Sequence, residues 1–215
     1  MDNKLYIYVV DRDFGFAPNP FHGYCTLATC KPRIRRSAKA GDWIMGVGGG
    51  RLKATGRCIY LMKVCEVITF NDYWTDSRFE LKKPVRNGSK VMMVGDNIYH
   101  QEAGSPNWIQ EDSHHSLVDG SPNVINVIKD TSSLNVLISE HFYYFGKSAP
   151  VVDLDVVCYK NRIDHDERLL GSENVNRFII DMENKYKNLK NFILDLPFNF
   201  TTAHKRADQA TGKVI

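Results

Sequence analysis

No stretch of this chain approaches the ~20 consecutive apolar residues that a helix needs to cross a bilayer. The first apolar run, residues 5–10, is cut short by Asp11-Arg12-Asp13, a pattern unlike a secretory signal. No membrane partner is expected. Cysteine is sparse and odd in number, with five residues at 25, 30, 58, 65 and 158. In a chain long enough to bury its own core, this argues against a disulfide framework and for a reduced, cytoplasmic protein. Four residues separate Cys25 from Cys30 and no second pair at zinc-finger spacing follows, so a structural zinc site is not expected. The phosphate loop ending in Lys-Ser/Thr, the dinucleotide glycine fingerprint and the H-E-x-x-H helix motif are all missing. No metal and no cofactor are expected, and no motif names a reaction.

What the chain has is an uneven charge. Residues 1–100 carry 16 Lys or Arg against 9 Asp or Glu, while the remainder carries 12 against 16. Between Lys31 and Lys63, nine basic residues face a single acid, Asp42. Such a field attracts phosphate groups, although a solvated basic face with no ligand would read the same way.

Periodicity predicts mostly short strands. Residues 5–10, 43–47, 59–70, 91–94, 124–128, 136–145 and 151–159 are β-rich apolar runs, with a short element over 25–31 closed by Pro32. Residues 99–122 lack either period and read as a long loop over one end of the fold. Apolar residues at helical spacing over 176–193 predict a late amphipathic helix, and the tail from Thr201 reads as loose. Many strands with one late helix suggest a mixed α+β protein built on a small closed β-barrel, which leaves no open sheet edge. A single domain over 1–215 is expected, with its core in 1–160 and a helical extension and polar tail in 161–215.

The chemistry-bearing residues concentrate in the first third. Phe14, Phe16 and Tyr24 offer rings for stacking on a base. Asp13, Asn19 and His22, in a proline-braced loop, offer hydrogen bonds to its polar edge. Arg33, Arg35 and Arg36, with Arg51 and Lys53 after the glycine run Gly46-Val-Gly-Gly-Gly50, are candidate phosphate ligands. Trp108, His115 and Asp119 supply ring and rim groups from the long loop. His22, Asp11, Asp13 and Cys30 are the residues to test if the protein is an enzyme. Positive neighbours favour a reactive thiol at Cys30, but the sequence shows no Cys–His pairing and favours a small buried cysteine. Each ring, likewise, has a plainer reading as core. Adjacent His114 and His115 would point opposite ways in an extended segment and would not readily share a metal.

Three blocks carry a resemblance: Gly15-Phe-Ala-Pro-Asn-Pro-Phe-His-Gly23, Cys25-Thr-Leu-Ala-Thr-Cys-Lys-Pro-Arg-Ile-Arg-Arg36 and Ala40-Gly-Asp-Trp-Ile-Met-Gly46. With Glu66 to Trp74, His115-Ser116, Asp119-Gly120 and Phe142 to Gly146, they resemble the bacterial and phage family called nucleotide modification associated domain 2. The Gly41-Asp42 turn and the strands around it are also similar to the PUA-like barrels (pseudouridine synthase and archaeosine transglycosylase), a group with YTH, EVE and ASCH members. That resemblance implies a barrel whose cleft accepts a flipped or altered base. The readers' aromatic cage is not transferred to residues of this chain.

Three functions follow as expectations. The first is a nucleic-acid-binding module that recognises a modified base or nucleotide, in DNA or alternatively RNA. The second is a nucleotide- or DNA-base-modifying enzyme, a transferase or glycosidase. The third is a protein-interaction subunit of a phage or defence complex. The modification and the oligomeric state stay open.

Overall fold

A computed structural model describes residues 3–160, 164–208 and 213–214. In chain order its strands are β1 (Lys4–Val10), β2 (Cys25–Leu27), β3 (Trp43–Gly48), β4 (Cys58–Lys63), β5 (Glu66–Thr69), β6 (Tyr99–His100), β7 (Ile109–Gln110), β8 (Asn135–Ser139), β9 (Phe142–Tyr144), β10 (Asp166–Leu169), β11 (Ala207–Asp208) and β12 (Lys213–Val214). The α-helices are α1 (Pro32–Ser37), α2 (Phe70–Thr75), α3 (Lys90–Met93), α4 (Val124–Thr131) and α5 (Glu173–Tyr186).

The chain is mixed α+β, but the expected barrel is not formed. Among the described residues no sheet closes on itself. One sheet runs β10-β1-β3-β4-β9, a second runs β2-β8-β5, and β6-β7 and β11-β12 are two-stranded. The PUA-like and EVE/ASCH-like architecture implied by resemblance is therefore corrected to an open, multi-sheet fold. The physical reason lies in the two longest β-rich runs, each of which breaks in the middle. β4 ends at Lys63 and β5 resumes at Glu66; β8 ends at Ser139 and β9 resumes at Phe142. The breaks face one another: Lys63 N donates to His141 O at 2.9 Å and Cys65 N to Ile138 O at 2.8 Å. The antiparallel ladder turns a corner, and its halves join different sheets. The free edge of β9 is covered by the segment after α5, where Asn191 N donates to Phe142 O and Leu194 N to Tyr144 O. A strap thus satisfies the edge that barrel closure would have used.

Two runs read as strands are helical. Residues 91–94 fall in α3 and its cap, and residues 124–128 open α4. In α4, Asn123 Oδ1 accepts from the backbone N of Ile125 and Asn126, an N-cap that outweighs the β-branched residues following it. Residues 151–159 form no strand beyond an isolated bridge between Arg57 and Val151. The late helix begins at Glu173, buries Val175, Phe178, Ile179 and Met182, and ends at Tyr186 rather than 193. Nor is the tail loose throughout: Ala207 N donates to His114 O at 2.8 Å, docking residues 204–207 onto the long loop.

Two apolar clusters fill the interior. One joins β1, β3, β4 and β9 to α5. The other gathers Phe14, Phe16 and Phe21 of the N-terminal loop with Phe70, Tyr73, Phe79 and Tyr99. In β3, Gly46 lies where an added Cβ would come within 2.3 Å of the Tyr60 ring, so the glycine run begins as a packing requirement.

Candidate active site

Cys30 stands on the turn between β2 and α1. Pro32 opens the helix, where its fixed φ and missing N–H are suited to the first turn. Just before it, Cys30 and Lys31 adopt φ of 58° and 38°, a left-handed region that non-glycine residues rarely occupy. Such strain persists only where the surroundings impose it. Here Cys30 N donates to Asp130 Oδ1 at 2.9 Å, and Cys30 O accepts from Arg35 Nε at 2.9 Å. A side chain presented on a strained strand-to-helix turn is the device of nucleophile elbows.

The Cys30 Sγ lies 3.7 Å from His115 Nε2, and His115 Nδ1 lies 2.7 Å from Asp130 Oδ2. Thiol, imidazole and carboxylate thus form a chain. Cys30 is half-buried, while His115 and Asp130 are buried. Asp130 also accepts from Tyr99 Oη at 3.0 Å. Burial opposes charge on His115, but the Asp130 carboxylate and the Cys30 sulfur overcome it and raise the ring to about 10. Burial alone would raise the Asp130 carboxyl; charge on His115, its hydrogen bond and Arg35 hold it below the ordinary range. A charged imidazole thus faces the Cys30 sulfur across 3.7 Å. His114 behaves oppositely. Burial first, then the charge of His115, lower it to about 3. Its Nδ1 lies 2.6 Å from the Lys205 carbonyl, which only accepts, so that nitrogen carries the hydrogen.

Cys30, His115 and Asp130 are also metal-ligand types, with donor atoms within 4.8 Å of one another. Their order argues for a relay instead. Asp130 and Cys30 contact different nitrogens of one ring, and these two nitrogens point in diverging directions. Asp130 is moreover occupied by His115, Tyr99 and the Cys30 amide. A zinc ion takes sulfur at ~2.3 Å and nitrogen at ~2.0–2.1 Å on converging directions, which this line of groups does not offer.

Two recesses share Arg12, Ala17 and Cys30 as wall. The smaller, about 160 Å³, is lined by Phe14, Phe16, His114, His115 and Ala207. Its rings pack closely, with Phe14 4.4 Å from His114 and Phe16 4.7 Å from His115 between centroids. The larger, about 310 Å³, is lined by Asp11, Lys31, Arg51, Lys129 and Asp164 among others. Cys30 faces an aromatic slot on one side and a charged recess on the other.

A family model described as nucleotide modification associated domain 2 matches residues 2–204. The chain belongs to that family. No curated protein and no solved structure matches it.

Within this member of the nucleotide modification associated domain 2 family, the residues singled out from sequence separate into groups. Phe14, Phe16, Cys30 and His115 meet at the aromatic slot, and Asp11 and Arg51 line the charged recess. Asp13 is buried elsewhere, accepting from Tyr144 Oη and Phe198 N. Asn19 is buried and accepts from Lys82. His22 and Tyr24 are half-buried and line neither recess; Tyr24 packs edge-on against Phe79. Trp108 packs on Phe70, and exposed Asp119 holds the turn at Ser121. Lys53 is exposed and caps a 3₁₀ turn.

The three arginines of α1 diverge. Arg35 is fully buried, its guanidinium donating to the carbonyls of Cys30, Ser133, Asn135 and Asp130. Exposed Arg36 donates to Ser132 O, and exposed Arg33 lies 3.8 Å from Asp164. Arg35 therefore positions Cys30 and Asp130 through their backbones.

Asp130, Lys129, Tyr99 and Arg12 are not among the site residues that the sequence singles out. One signal was available: Asn126 and Asp130 stand four apart after a capping Asn123, which in a helix places two polar side chains on one face. Both are buried, while Val124, Ile125 and Ile128 are exposed. The helix is inverted, and its polar face serves the site.

Proposed function

We propose that the protein is a nucleotide-modifying enzyme that works through Cys30 as nucleophile. The observation carrying this reading is the continuous chain Cys30 Sγ–His115–Asp130 on a strained turn. The family's description supports a nucleotide-related substrate, and the slot walled by Phe14 and Phe16 suits a flat base.

In this reading His115 holds the proton and Asp130 fixes the ring. The sulfur donates an electron pair to an electrophilic ring carbon of the base. The π pair of that C=N or C=C bond moves to its far atom, which takes the proton from His115. The reverse sequence returns that proton to His115 and the electron pair to sulfur and releases the base; the adduct between the two steps is the activated form. A binding module without chemistry is the second reading, favoured by the same aromatic slot, but binding alone has no use for a buried carboxylate–imidazole–thiol line.

Timed alkylation by neutral iodoacetamide, read by peptide mass, separates the two. Cys30 is expected to react on the order of tenfold faster than the more exposed Cys65 and Cys158, and H115A to remove the advantage. With nucleotides or oligonucleotides, C30A should retain binding and lose any covalent adduct or turnover. A Cys30 no faster than Cys65, with base conversion unaffected by C30A, would overturn the enzyme reading.

A further inference from the structure

The charged recess beside Cys30 has no role in the relay, and its composition is specific. Arg12 follows β1, Lys31 precedes α1, Arg51 lies in the 3₁₀ turn Gly50–Leu52, and Lys129 stands in the last turn of α4. Four separate segments thus send cations to one cavity of about 310 Å³. Two carboxylates share it, Asp11 and Asp164; Asp164 meets Arg33 at 3.8 Å and His165 at 3.0 Å, and its backbone carbonyl accepts from Lys31 Nζ at 3.4 Å. Lys31 Nζ lies 4.5 Å from the Tyr8 ring centroid, held over its face. Burial and then the charge of Arg51 lower Arg12 while Asp11 raises it. Burial lowers Lys31 against the raising by Cys30, Asp164 and Asp11, with Lys129 a smaller lowering. Four cations against two carboxylates leave the recess net positive, which favours an anion there.

We infer that this recess is a phosphate-binding subsite, so that the molecule presented to Cys30 is a phosphorylated nucleotide unit and not a free base or nucleoside. The inference rests on the proposed function for the base's position in the aromatic slot. The shared wall of Arg12, Ala17 and Cys30 puts the two halves of such a ligand in adjoining spaces, flat part against Phe14 and Phe16, anionic part among the cations. A phosphate monoester carries close to two negative charges at neutral pH and presents three acceptor oxygens. That chemistry suits forked guanidinium and ammonium donors arriving from several directions.

The test uses the intact protein and two reagents that differ only in charge. Iodoacetate is expected to modify Cys30 faster, relative to iodoacetamide, than it does at Cys65 or Cys158, by roughly tenfold at low salt. Inorganic phosphate should suppress the iodoacetate reaction, and R51Q should slow iodoacetate more than iodoacetamide. An iodoacetate preference equal to that at Cys65, or indifference to phosphate, overturns the subsite. This outcome is separable from failure of the nucleophile reading, which is judged by the iodoacetamide rate and by base conversion in C30A. Protection of Cys30 by deoxynucleoside 5′-monophosphates assigns the phosphate to free nucleotides. Protection by a single-stranded oligonucleotide assigns it to a nucleotide within a strand. Equal protection by unphosphorylated nucleosides overturns the inference.

Discussion

Asp130 carries more of the site than any other single side chain. Oδ1 accepts from the Cys30 amide at 2.9 Å, and Oδ2 accepts from His115 at 2.7 Å and Tyr99 at 3.0 Å. All three neighbours present hydrogens to it, so an asparagine would turn its amide hydrogens toward another donor. D130N is expected to lower stability by ~1.5–3 kcal/mol, the range for hydrogen bonds to a charged group, and to slow Cys30 alkylation at least about tenfold. The stability difference also depends on pH. Asp130 is lowered, so its contribution is present above the ordinary carboxylate range and disappears as pH falls through its folded value. His115 is raised to about 10, so its contribution is complete below ~6.5 and disappears as pH rises through about 10. Urea titrations of wild type and D130N should therefore differ most between these limits and converge toward pH 10. A gap that stays constant with pH would rule out the ionised pair.

At the scale of elements, α4 shows why local pattern misled. Val124-Ile-Asn-Val-Ile128 looks like a strand because β-branched residues favour pleated backbone. The Asn123 cap and the inward hydrogen bonds of Asn126, whose Nδ2 donates to His115 O at 2.6 Å, make it a helix with a polar buried face. Removing the cap should fray the turn and shift Asp130. N123A is expected to cost ~1 kcal/mol and to reduce Cys30 alkylation, although Asn123 lies outside both recesses. Normal reactivity in N123A would show that α4 is held without its cap. The element α1 makes a related point. Its Arg33-Ile-Arg-Arg36 run looks like one basic surface, yet helical spacing sends Arg35 inward and leaves Arg33 and Arg36 outside.

Across the whole molecule, the ring-rich N-terminal loop is anchored by a buried polar network. Lys82 is fully buried, with Nζ donating to Asn19 O, Asn19 Oδ1 and Tyr24 O at 2.8–2.9 Å. Burial lowers its pKa to about 8. Asp96, also buried, accepts from Thr26 at 2.6 Å and Tyr73 at 2.8 Å. Asn19, read from sequence as a ligand contact, thus joins the loop to this network. Removing the ammonium leaves these buried acceptors short of a donor and takes a nearby cation from Asp96, so K82M should destabilise by ~1–3 kcal/mol or more. K82M with D96N should recover part of that loss in the same urea titration. An unaltered midpoint in K82M would show that the loop is fixed by its rings alone.

The residues by themselves determined the mixed α+β class, the strands at β1 and β3, the amphipathic face of α5 and the family. Each depends on local periodicity or on contiguous motif blocks. They also marked Cys30 and His115 separately, through basic neighbours and a polar loop. Joining the two was a tertiary matter, because the relay spans residues 30, 115 and 130 and needs α4 to be a helix facing inward. The same holds for the absent barrel. Whether a β-rich run continues straight or turns a corner depends on what lies opposite, and here the breaks in β4–β5 and β8–β9 meet. Short-range pattern fixes which backbone a segment prefers, whereas the partner across the ladder decides where that backbone leads.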